Sequence, residues 1–159
     1  MADWTNSDGL EVRFNGPEAG PTGASVSTLG AVKNLVLDFD FATAITAAAD
    51  GHEAFIPAGS YIKAATLIVT TAATSAGTAT LSIGLAQKDG TAIVSDGIDS
   101  AIALSAINTS TEVVKCDGTL AGGLLSIGAN NGYVYTTPTT GADVFTAGRG
   151  KLVIEYIEV

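Results

Sequence analysis

The sequence predicts an all-β protein: an antiparallel β-sandwich, jelly-roll-like, with an extended N-terminal arm and one short helix. Three observations carry this expectation. Short β-branched runs recur between Gly, Asp-Gly, Pro or Thr/Ser clusters. Several runs alternate apolar and polar residues with the period of two that sets successive side chains on opposite faces of a strand. Asp-Gly pairs beginning at Asp8, Asp50, Asp89, Asp96 and Asp117 supply residues suited to turns.

In chain order, residues 1–30 read as an N-terminal arm and 31–159 as the sandwich domain. The arm holds one strand candidate, residues 10–14. Residues 15–30 (NGPEAGPTGASVSTLG) are rich in Gly, Pro, Ser and Thr and have no core pattern of their own. Residues 34–41 (NLVLDFDF) place Leu35, Leu37, Phe39 and Phe41 on one face and Asn34, Val36, Asp38 and Asp40 on the other, a half-buried strand. Residues 61–71 (YIKAATLIVTT) and 151–159 (KLVIEYIEV) are apolar on both faces. Such strands sit centrally in a sheet, or have one face covered by a partner. Between them, Ala79, Leu81, Ile83 and Leu85 alternate with Thr78, Thr80, Ser82 and Gly84, whose polar, uncharged face suits water or a neighbouring surface. Residues 91–95, 111–115, 133–137 and 143–147 complete a set of about nine strands, within the range of a two-sheet sandwich. The helix is expected in residues 98–108, where Ile98, Ile102 and Ala106 recur at helical spacing behind Asp96 and Asp99. Gly122, Gly123, Gly128 and Gly132 read as turns.

The chain has 159 residues, enough for one domain with its own core. Its 47% hydrophobic and 14% charged residues set it apart from average chains, of which about 25% is charged, and imply that some apolar surface lies in a subunit contact. No apolar run approaches the roughly 20 residues of a membrane helix, and residues 1–14 lack the basic start and apolar run of a secretion signal. The formal charge is −9, and the seven basic residues are scattered along the sequence. Direct nucleic-acid binding, which needs clustered Lys and Arg, is therefore disfavoured, as is a membrane partner. Cys116 is the single cysteine, so no internal disulfide is possible and a reducing cytoplasm suits the chain.

The residues that could carry chemistry are few, and each has a structural reading. His52 stands alone in an Asp-Gly-His-Glu loop without a neighbour to orient it, which favours an exposed loop histidine over an acid-base catalyst. Cys116 ends a strand with Lys115 pointing to the opposite face, which favours an inert thiol over a nucleophile. Asp38 and Asp40 lie about 7 Å apart on one strand face. They could hold a divalent metal, but a solvated polar face opposite the Leu/Phe stripe is the favoured reading. Asp96-Gly97-Ile98-Asp99 lacks the alternating oxygen ligands of a calcium loop and reads as a turn with a helix cap. Tyr133 and Tyr135 share a strand face and could stack on a sugar, although core or rim packing is the favoured reading. No phosphate loop, nucleophile elbow or zinc ligand set occurs. The expectation is a non-enzyme with no cofactor and no metal.

Ile56-Pro57-Ala58-Gly59 with the strand through Thr71, the turn and strand from Ser75 to Gly84, Asp96-Gly97, and Phe145-Thr146-Ala147-Gly148 leading into Lys151-Leu152-Val153-Ile154-Glu155-Tyr156 together carry a resemblance. Over residues 55–159 the chain resembles small virion structural proteins of tailed bacteriophages, especially capsid decoration (cement) proteins. The resemblance implies a β-sandwich that binds the outside of an icosahedral capsid, with the major capsid protein as partner and a homotrimer as the assembly. The capsid or subunit contacts are then expected on the apolar residues of the arm: Trp4, Leu10, Val12, Phe14, Pro17, Pro21, Val26 and Leu29. A tail, neck or fibre component of the virion is the alternative, and a carbohydrate-binding module using Tyr133, Tyr135 and calcium on Asp38 and Asp40 is another.

Overall fold

The computed structural model describes residues 4–5, 11–12, 32–46, 55–123, 125–138 and 143–158. Two short strands, β1 (Trp4–Thr5) and β2 (Glu11–Val12), pair antiparallel with each other. The remaining eight strands are β3 (Val32–Asp40), β4 (Phe55–Ile56), β5 (Tyr61–Ser75), β6 (Thr80–Ala86), β7 (Ala92–Ala103), β8 (Val113–Cys116), β9 (Gly132–Pro138) and β10 (Phe145–Ile157). They form two four-stranded sheets, ordered β3-β10-β5-β8 and β4-β9-β6-β7, and all their ladders are antiparallel. Counted from β3, the first sheet takes the first, eighth, third and sixth strands and the second sheet takes the second, seventh, fourth and fifth. That interleaving is a jelly roll, in which paired strands from both ends of the chain wrap around one core.

The core lies between the sheets and comes from the alternation legible in the sequence. Leu35 and Phe39 of β3, Ile62, Leu67 and Val69 of β5, and Leu152 and Ile154 of β10 face Leu81, Ile83 and Leu85 of β6, Ile98 and Ile102 of β7 and Val134 of β9. Full burial of one such side chain stabilises the fold by about 1.5–3 kcal/mol relative to leaving it in water. Runs 61–71 and 151–159, apolar on both faces, become the two central strands of the first sheet, as a strand wanted on both sides should. Thr136 is the polar residue of this inner layer on β9. Its hydroxyl accepts the Ile45 N–H at 2.8 Å and its N–H donates to the Ile45 carbonyl at 2.9 Å, so the chain leaving β3 is tied to the second sheet without a stranded polar group.

Several expectations are corrected. Residues 98–108 are not a helix: β7 runs through Ala103, and only Leu104–Ala106 forms a 3-10 turn. Both apolar residues are nonetheless buried, Ile102 opposite Leu81 of β6 and Ile98 within the stretch where the β6–β7 register slips. The short helix is α1 (Thr119–Gly123), so Gly122 and Gly123 end a helix instead of forming turns, and Leu120 and Ala121 are its buried side. Candidates 143–147 and 151–159 are one strand, β10. Gly148 and Gly150, which lie between those two candidates, form a flat floor for the Phe41 ring: a methyl group on Gly150 would lie 2.7 Å from that ring, and Gly148 adopts φ 131°.

Asp89-Gly90 is a turn as expected, with Gly90 at φ 88° and the Asp89 carboxylate accepting the Thr91 N–H at 2.9 Å. Those hydrogen bonds hold the Asp89 carboxyl below its ordinary pKa. Asp96-Gly97 is not a turn. It lies in β7 where a step of two along β6, from Ile83 to Leu85, is matched by a step of five along β7, from Asp99 back to Val94. The surplus residues bulge over Gly84, leaving it buried beneath the Val94–Ser95 backbone. A second irregularity sits at Ala101, whose φ of 54° is matched by a hydrogen bond from its N–H to the Ser82 hydroxyl at 3.1 Å.

Candidate functional site

The arm residues proposed for contact fall mostly outside the described residues, as do His52 and Glu53: Leu10, Phe14, Pro17, Pro21, Val26 and Leu29 belong to that group, and for Trp4 and Val12 only the backbone pairing of β1 with β2 is described. The side chains that the structure does bring together lie on the outer face of the β3-β10-β5-β8 sheet.

That face is built by register. Val32, Ile157 and Tyr61 form one row across β3, β10 and β5; Val36, Val153, Thr66 and Lys115 form another that reaches β8; Asp38, Lys151, Ile68 and Val113 form the next. Val36 is 52% exposed and Val113 63% exposed, while Val32 and Tyr61 are exposed as well. Charged residues are interleaved in opposite signs. Lys63 pairs with Glu155 at 3.5 Å and Lys151 with Asp38 at 3.7 Å. At the adjoining sheet end Lys33 pairs with Glu158, which raises the Lys33 pKa above its ordinary value. Pairs this exposed contribute little to stability and mainly keep the surface solvated. Asp40 accepts the Ala42 N–H at 2.8 Å. Asp38 and Asp40 thus share the outer face with basic residues, and among the described residues no three His, Cys, Asp or Glu side chains group as a metal site. The sequence signal for this face was the second apolar stripe of residues 61–71 and 151–159.

The opposite outer face, on β9 and β6, offers less. Tyr133 is 8% exposed and its ring lies 5.5 Å from Phe55, so it packs at the rim and does not present a stacking platform beside Tyr135. Thr80 and Ser82 are half-buried, and Gly84 is covered by β7. A shallow apolar recess beside them, lined by Ala79, Ala103 and Leu104, has few polar groups with which to orient a ligand.

Cys116 and Asp99 are the buried titratable pair. Cys116 on β8 faces inward, and its thiol donates to the Asp99 carboxylate, which also accepts backbone N–H bonds from Ser100 and Asp117. Burial, reinforced by the Asp99 charge, pushes the Cys116 thiol up to about 12, so it stays protonated and unreactive at neutral pH. Burial first, and the Asp117 charge second, raise the Asp99 carboxyl above its ordinary value. A carboxyl whose folded pKa exceeds its unfolded one gives stability that is complete below the unfolded pKa and is lost as pH rises through the folded pKa. Asp99→Asn should therefore gain on the wild type as pH rises from the acid range to neutrality. Urea midpoints for both proteins at acid and neutral pH check this; a constant gap would show that Asp99 does not titrate differently on folding.

No protein-family profile matches the chain, and no curated protein does. Solved structures share its fold. A chain of the cyanophage Pam1 capsid asymmetric unit superposes with a TM-score of 0.58 at 21% identity, covering 91% of this chain and 97% of that one. A chain of the capsid of Ralstonia phage GP4 superposes with a TM-score of 0.55 at 18% identity, covering 88% of this chain and 93% of that one. The likeness spans nearly the whole of both neighbours, so it concerns the complete jelly roll and not a shared fragment.

Proposed function

We propose that this chain is a non-enzymatic virion structural protein, a decoration (cement) protein that binds the outer surface of an icosahedral phage head and stabilises it. The observation that carries the proposal is the end-to-end likeness of its jelly roll to chains of two phage capsids. The chemistry agrees with it: the thiol is buried and protonated, and the exposed charges of the β3-β10-β5-β8 face are interleaved. A capsid-reinforcing protein needs a rigid scaffold and extended contact surfaces, not a reactive group. In this reading the major capsid protein is the partner, the assembly is a homotrimer, and the protein is made in the host cytoplasm and resides on the virion exterior.

Residues 1–30 serve as the capsid-binding arm in this proposal, with Trp4, Leu10, Val12, Phe14, Pro17, Pro21, Val26 and Leu29 as its apolar contacts. A segment rich in Gly, Pro, Ser and Thr can order on binding and spread many weak contacts over a large area. The test is cosedimentation with expanded capsids. The full chain should pellet with them, whereas a chain lacking residues 1–30 should keep its β circular-dichroism spectrum and remain in the supernatant. Undiminished binding by the shortened chain overturns the arm assignment; failure of the full chain to bind overturns the decoration role and leaves a tail, neck or fibre location.

A further inference from the structure

We infer that the outer face of the β3-β10-β5-β8 sheet is the subunit contact, occupied by a different surface of a second copy of this chain. The inference deepens the homotrimer proposed above and rests on it for the ring, although not for the contact itself. Exposed apolar residues concentrate on this face: Val32, Val36, Tyr61 and Val113 come from three strands and surround the half-buried Val153, Ile68 and Ile157. A sheet face that sees only water would carry polar residues at these alternate positions.

Charge identifies the occupant. Lys63, Lys115, Arg149 and Lys151 on this face are four of the chain's seven basic residues, whereas Asp38, Asp40 and Glu155 are only three of its sixteen acidic ones. The face is therefore slightly basic on a molecule of net charge −9, and the rest of the chain holds the acidic surplus, including the exposed Asp96 and Asp117 at the corner between β7 and α1. Face against face would bring together two surfaces of the same small net positive charge, with no acidic surplus on either side. Face against an acidic surface of the next copy matches sign, and such a head-to-tail contact closes into a ring when its rotation allows.

Light scattering on the eluting full-length protein tests this without any capsid. The wild type should run as a closed oligomer, weakened by salt because the match is partly electrostatic. Val36→Asp, Val113→Asp and Lys115→Glu each place negative charge on the face at an exposed position, so the fold should survive and association should weaken by roughly tenfold or more. A monomeric wild type, or an oligomer indifferent to all three substitutions, overturns the inference. So does a variant that keeps the oligomer but no longer pellets with capsids, since the face then meets another protein. An oligomer that responds as expected but never binds capsids supports the contact and removes only the decoration role.

Discussion

Phe41→Ala lowers the unfolding free energy by about 3–5 kcal/mol, the range for removing a fully buried aromatic ring. Phe41 is completely buried, with its ring 5.5 Å from Phe39 in an edge-on contact and 6.3 Å from Phe145. It follows the last residue of β3, donates its N–H to the Gly148 carbonyl at 3.0 Å, and covers the backbone of β10 where Gly148 and Gly150 have no side chains. Truncation uncovers those glycines and leaves a hole bounded by Leu67, Ala73 and Phe145, which backbone cannot collapse to fill. Set against a typical domain stability of about 5–15 kcal/mol, the loss is large enough to appear as a much lower urea midpoint and lower soluble yield. Phe41→Leu should recover a substantial part of it; equal midpoints for Phe41→Ala and the wild type would show that the ring is not a packing element.

Gly84→Ala should destabilise by on the order of 3 kcal/mol, at the upper end of overpacking. A methyl group there would overlap the Val94 carbonyl oxygen and lie 2.5 Å from that of Ser95. Both are backbone atoms of the β7 bulge, so relief requires moving the strand, not rotating a side chain. Gly77→Ala is the control: its methyl group would meet the Asp143 carboxylate, the mobile end of a side chain that can turn aside. Thermal denaturation should show a marked drop for Gly84→Ala and little change for Gly77→Ala. Comparable drops in the two would remove the bulge as the cause.

Much of this fold was legible in the sequence because burial imposes a period of two. Leu35 and Phe39, or Leu81, Ile83 and Leu85, announce their strand and its inner face without any knowledge of partners. What was not legible depends on residues far apart. Gly150 looks like a strand break until Phe41, more than a hundred positions earlier, is seen to fill the place of its side chain. Ile98 and Ile102 fit a helix as well as a strand until β6 pairs with residues 99–103. Gly97 sits in β7 because the Leu120 side chain of α1 occupies the space beside it, a contact that local turn chemistry cannot reveal. The proposed contact face was half legible: the residues of 61–71 and 151–159 are apolar on both faces. Only the register placed Val36 and Val113 on the same side as Lys115 and Lys151.

The position of β10 bears on how the protein is made. It lies between β3 and β5, hydrogen-bonded to both, although it follows them and the other strands of the two sheets in chain order. While the nascent chain is still emerging from the ribosome, β3 has no neighbour to pair with and β5 keeps one edge open, so the first sheet cannot assemble by growing outward from its beginning. Premature termination before residue 145 would release a chain with two sticky strand edges, a species disposed to aggregate.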